Sequence, residues 1–128
     1  MSSGNVSKVS SILGWILSLA PALLMVMSAT MKLARVPQAV DGFKQLGYAE
    51  HLMRPIGVLE LCCAVIYLFP KTGVLGAILV TAYLGGAVAT HVRAEQPVFF
   101  APALLGVVAW LGIYLRDRRV RELIPIWK

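Results

Sequence analysis

Four apolar segments, residues 12–33, 52–69, 74–92 and 98–115, take up more than half of a 128-residue chain and constrain everything else about it. As a helix the first segment rises about 33 Å, enough to cross a hydrocarbon core about 30 Å thick. The other three hold eighteen or nineteen residues each. A bilayer offers no water to satisfy a backbone, so such segments span it as helices. The separations are short, and the turn at residues 70–73 (Pro-Lys-Thr-Gly) makes its two flanking helices antiparallel neighbours. The expected fold is all-α, a polytopic membrane four-helix bundle over residues 12–115. Residues 1–11 then form a disordered polar tail, and residues 116–128 a basic tail from which Ile126 and Trp127 dip back towards the interface.

Composition agrees. The chain is 59% hydrophobic and 14% charged, against about 45–50% and about 25% for soluble domains. The net charge of +6 is not arranged as a basic patch interleaved with aromatics, which argues against nucleic acid as a partner. The bilayer is the expected partner instead. A secretory signal peptide competes for the first segment, but the run is longer than such apolar cores and further spans follow it. Pro21 sits inside that segment and is expected to kink it.

Between the first two spans, Val36, Val40 and Phe43 fall on one side at helical spacing, Pro37 suits a first turn and Gly47 an end. These residues predict a short helix at 37–46 lying in the membrane interface. Four spans put both chain ends on one side. The dense arginines at 116–121 abut a span, so the positive-inside tendency places both ends in the cytoplasm.

That topology gathers the embedded polar residues in the other half of the bilayer. Lys32 ends the first span, Glu60 lies about two turns into the second, and Thr90, His91 and Arg93 end the third. An ionisable group inside a span costs about 2.5–3.5 kcal/mol on insertion scales and turns towards a partner. Glu60 is deepest and needs one most; Lys32 and His91 are the first candidates, Arg93 and Arg54 the alternatives. Helical spacing puts Tyr83, Ala87, Thr90 and His91 on one face of the third span. It aligns Gly57, Glu60, Ala64 and Tyr67 on the second, Met25, Ser28 and Lys32 on the first, and Pro102, Gly106, Ala109 and Ile113 on the fourth. Gly85 and Gly86 are expected to admit a neighbouring helix closely. Lys32, Glu60, Tyr83, Thr90, His91 and Arg93 are therefore the candidate polar cluster, suited to a lipophilic ligand with a carbonyl or hydroxyl head, such as a quinone. Snorkelling to the interface is the plainer reading of Lys32 and Arg93. No metal is expected, because the other histidine, His51, lies in a loop. Cys62 and Cys63 are adjacent, about 100° apart on a helix, and read as buried apolar positions rather than a redox pair.

At these residues the chain resembles the DoxX-like family of small bacterial membrane proteins. The resemblance rests on S-A-T-M-K-L around Lys32, G-V-L-E-L around Glu60, L-F-P-K-T-G at the turn, T-A-Y-L-G-G-A-V-A-T-H-V-R through His91, and the closing Y-L-R-D-R-R. It implies a four-helix protein of the bacterial cytoplasmic membrane. Some relatives look like membrane subunits of redox systems, among them thiosulfate–quinone oxidoreductases. The function this implies is a membrane subunit or anchor in a redox-related process, with a quinone as candidate cofactor and a soluble redox protein as candidate partner. A second copy of the chain is a further candidate partner, because four short helices cover little surface and carry several small-residue faces. A stand-alone carrier or isomerase of a small lipophilic molecule is the alternative.

Overall fold

A computed structural model describes residues 7–124; the outer part of the expected N-terminal tail, and Ile126 and Trp127, lie outside the described residues. The helices are α1 (Lys8–Ala34), α2 (Pro37–Gln45), α3 (Met53–Leu68), α4 (Gly73–Arg93), α5 (Phe100–Arg116) and α6 (Arg118–Leu123), with no strand among the described residues. Four helical stretches are long and apolar enough to cross a membrane: Lys8–Ala34, Glu50–Leu68, Pro70–Arg93 and Pro97–Arg116. The expected all-α four-helix bundle is what forms. Large side chains such as Ile16, Leu23, Leu59, Ile78 and Leu104 are exposed around its circumference, as a lipid-facing surface requires.

α1 packs on α3 and α5, and α4 packs on the same two helices, closing a ring. Side-chain contacts make every neighbour antiparallel. Ser10 near the start of α1 donates to the Leu115 carbonyl at the end of α5, and Lys32 at the end of α1 reaches Glu60 in α3. Tyr67, Met25, Val80, Ala109 and Ile113 fill the centre. The faces read from helical spacing on α3 and α5 are largely the faces that bury: Gly57, Glu60, Ala64 and Tyr67 on α3, and Ala109 and Ile113 on α5.

Four details depart from the sequence reading. α1 starts at Lys8 with Ser7 as its N-cap, so residues 8–11 are helical, and the helix runs through Pro21 to Ala34. Gly85 and Gly86 have nothing within 4 Å of an added Cβ; helices approach closely instead at Gly76, against the Tyr67 backbone, at Gly112, against Ser18, and also at Gly14 and Gly57. Cys62 is exposed and Cys63 alone is buried. The basic C-terminal segment is a built structure over its described part. Asp117 caps α6 through the Arg119 N–H, and the Arg119 guanidinium beside it holds the Asp117 carboxyl below the usual carboxylate range.

Arg116 in particular turns inward. Its Cζ lies 4.2 Å from the Trp15 ring centroid and 4.9 Å from that of Tyr67. It donates to Ser18 Oγ at 2.8 Å and to the Tyr67 carbonyl at 2.7 Å. The Tyr67 hydroxyl lies 2.6 Å from the Ala109 carbonyl and 3.0 Å from Ser18 Oγ. A carbonyl only accepts, so Tyr67 donates to Ala109, and Ser18, receiving from Arg116, donates its own proton to Tyr67. This directed chain ties α1, α3 and α5 together. Tyr67→Phe is expected to leave the Ser18 donor unpaired in a dry core, to remove the second bond on the Ala109 carbonyl, and to lower stability by about 1–3 kcal/mol, read as a lower thermal midpoint in detergent.

Candidate functional site

The polar cluster forms at the end of the bundle away from the chain termini. Its base is an ion pair: Lys32 Nζ lies 2.8 Å from Glu60 Oε1, with the Lys32 side chain 18% and the Glu60 side chain 4% exposed. The same ammonium donates to Ser28 Oγ, one helical turn back, at 2.7 Å. The pair is short because α1 and α3 meet closely there. A Cβ on Gly57 would lie 3.1 Å from Lys32 Cβ and 3.2 Å from the Ala29 carbonyl oxygen, and Ala29 is fully buried. A small residue one turn before the carboxylate thus sets the helix spacing that lets a lysine reach it. Glu60 is paired with Lys32, which the sequence argument ranks first together with His91.

Above the pair lies a cleft of about 550 Å³ walled by α1, α3, α4 and α5. This is the size range of small-molecule sites, about 300–1,000 Å³. Lys32, Glu60, Tyr83, Thr90 and His91 all line it. Tyr83 reaches the cleft from α4 and Glu60 from α3. His91 Nδ1 lies 2.7 Å from the Ala87 carbonyl oxygen one turn back. Since that oxygen can only accept, Nδ1 carries the hydrogen, and in the neutral ring Nε2 is the acceptor. Thr90 shares a 2.7 Å hydrogen bond with the Tyr48 hydroxyl.

Arg93 does not join the cluster. It points out of the cleft, and its Nη2 donates to the Leu46 carbonyl at 3.0 Å, fastening the segment after α2. The sequence reading places it in the cluster, but being two residues beyond His91 it lies about 200° round the helix. His51 sits in the turn at Glu50–Leu52 and does not line the cleft.

Sequence reasoning missed Tyr48. It follows Gly47, whose φ of 83° reverses the chain after α2 and swings the ring back over the bundle. There it stacks on Phe43 with centroids 4.9 Å apart. An aromatic directly after a glycine in a polar connector was the available signal. Periodicity does not register a residue that follows a left-handed turn.

The model of the DoxX-like family matches residues 16–112 of this four-helix chain. The chain belongs to the DoxX-like family. The matched residues run from the first turns of α1 almost to the end of α5, so they include the ion pair, the cleft and α2. No curated protein and no solved structure matches this DoxX-like chain. Membership with four apolar helices makes it a small multi-pass membrane protein in contact with lipid.

Proposed function

We propose that the cleft binds a neutral lipophilic molecule with a carbonyl or hydroxyl head, of the quinone type, and that the protein serves a redox-linked process of the bacterial cytoplasmic membrane. Lys32 is the observation that carries this reading. An ammonium has three donors; Ser28 and Glu60 accept two of them, and the group stands in the cleft wall. A carbonyl oxygen of a bound head accepts the third. Because Glu60 already balances the charge, the head needs none of its own. Tyr83 and the Nε2 acceptor of His91 match a hydroxyl or a second carbonyl, while Leu24, Leu59 and Leu105 hold an apolar body. Glu60 and His91 are then placed to exchange the protons of the head.

In this reading both chain ends face the cytoplasm, beside the arginines of α6, and the cleft opens on the opposite side. A soluble redox protein and a second copy of the chain are its partners, and the protein acts as their membrane subunit or anchor. A carboxylate and an imidazole acceptor in one cleft favour a second reading, a carrier or isomerase of a lipophilic molecule. Native mass spectrometry of protein released gently from its own membrane separates these. The expected result is a co-isolated quinone mass that disappears in Glu60→Gln. Protein carrying only a protein partner overturns the ligand and leaves the anchor. Turnover of the bound molecule, lost in Glu60→Gln with folding intact, selects the isomerase.

A further inference from the structure

We propose that α2 and the loop after it form a hinged lid over the cleft, latched to α4 through Tyr48–Thr90 and Arg93–Leu46. The inference rests on the cleft being a binding site and adds how that site is entered.

The segment's place is the first support. Phe43, Leu46 and Tyr48 line the cleft together with His91 and Thr90, and Tyr48 meets Thr90 directly. Phe43 is the single buried residue of α2, and its ring stacks on Tyr48, so the two aromatics form one plug. The second support is how little else holds it. α2 is a nine-residue helix that packs mainly on the end of α1 and on the turn at Glu50–Leu52. A helix this short is marginal by itself in water. The Arg35–Glu50 ion pair at 2.9 Å joins its two approaches, but both side chains are well exposed, and such pairs add little.

The third support is the backbone at each end. Arg35 (φ 54°) and Gly47 (φ 83°) are both left-handed, so the chain enters and leaves α2 through sharp single-residue reversals. Changes of φ and ψ confined to a few such residues swing a segment as a body. The fourth support is the latch. Thr90 is both the partner of Tyr48 and a wall residue of the cleft. A carbonyl head can only accept the Thr90 proton, and the Thr90 oxygen then takes the Tyr48 proton, so occupancy and lid position meet at one hydroxyl. Arg93, facing away from the cleft, then has a role its place explains: it holds the Leu46 carbonyl and the Gly47 hinge from outside.

Access is measurable without knowing the ligand. A cysteine placed at Ala87, which lines the cleft, in a Cys62→Ala/Cys63→Ala background reports lid opening by its reaction rate with a water-soluble maleimide. Tyr48→Phe is expected to raise that rate about fivefold, the effect of one lost hydrogen bond on an opening equilibrium. Thr90→Val removes the same bond from the other side and is expected to match it, with no further gain in the double variant. Rates within twofold of the parent in both variants overturn the lid. Hydrogen exchange on the unmutated protein gives an independent reading. The α2 amides are expected to exchange at least about a hundredfold faster than those at the centre of α4; equal protection overturns the lid whether or not a variant folds. A static roof leaves quinone co-isolation intact, whereas a cleft that holds no ligand still shows the fivefold rise in maleimide rate, so the two readings fail separately.

Discussion

Lys32→Met is expected to lower the stability of the bundle by about 3–5 kcal/mol, because it strips the counter-charge from a carboxylate that is almost wholly buried. Glu60 has a 4% exposed side chain and accepts the Lys32 ammonium at 2.8 Å. Without that cation the carboxylate must either ionise in a dry helix interface or take up a proton. The reverse change, Glu60→Gln, costs less. The amide still offers an oxygen to Lys32, and Lys32, 18% exposed, can carry its charge towards the interface along its apolar stem. In the double variant Lys32→Met/Glu60→Gln the two losses do not add, and a coupling of about 1–3 kcal/mol is expected. Thermal or SDS-induced unfolding in detergent measures all four corners of the cycle. Simple additivity would falsify the direct pair as a determinant of stability.

Gly76→Ala is the second large effect, and it concerns shape rather than charge. A Cβ there would lie 2.1 Å from Tyr67 Cα and 2.3 Å from the Tyr67 backbone nitrogen, with the Ile66 carbonyl carbon at 2.7 Å. Those are main-chain atoms of α3, so no rotamer relieves the clash; α3 and α4 must separate. Separation opens the layer where Ala64, Ala77 and Tyr67 are fully buried, and it strains the Tyr67 hydrogen bonds to α1 and α5. The expected loss is about 3 kcal/mol or more. Gly85→Ala is the matched control, since nothing lies within 4 Å of its added Cβ. Helix propensity there favours alanine by about 1 kcal/mol, so its midpoint is expected to hold or rise. A Gly76→Ala protein as stable as the Gly85→Ala one would mean that α3 and α4 do not meet at this distance.

The two glycines also show where the sequence ran out. Gly85-Gly86 is the conspicuous pair in the chain, and spacing marks it as a helix contact; the contact is made by the less conspicuous Gly76. A pattern of small residues tells that a helix can be approached. Which turn is approached depends on the rotation of both helices, which no single segment encodes. The polar residues were more legible. Glu60 could be ranked with Lys32 because desolvation demands a partner and topology leaves few. His91 and Thr90 fell on the Tyr83 face because the helical period carries them there. The chain of hydrogen bonds from Arg116 through Ser18 and Tyr67 was not legible, since an arginine at a basic chain end reads as a surface charge.

From the sequence alone follow the membrane class, the four spans, the all-α bundle, the short helix after the first span and the half of the bundle that holds the polar groups. All of these are one-dimensional quantities: lengths of apolar runs, helical period and the alternation of spans. The tertiary structure decided what depends on distances between helices. It joined Lys32 to Glu60 at 2.8 Å through the close approach at Gly57, turned Arg93 away from the cleft, and brought Tyr48 back over it through a left-handed glycine. Periodicity fixes the angle of a side chain about its own helix axis. The angle at which one helix meets the next comes from packing them all at once.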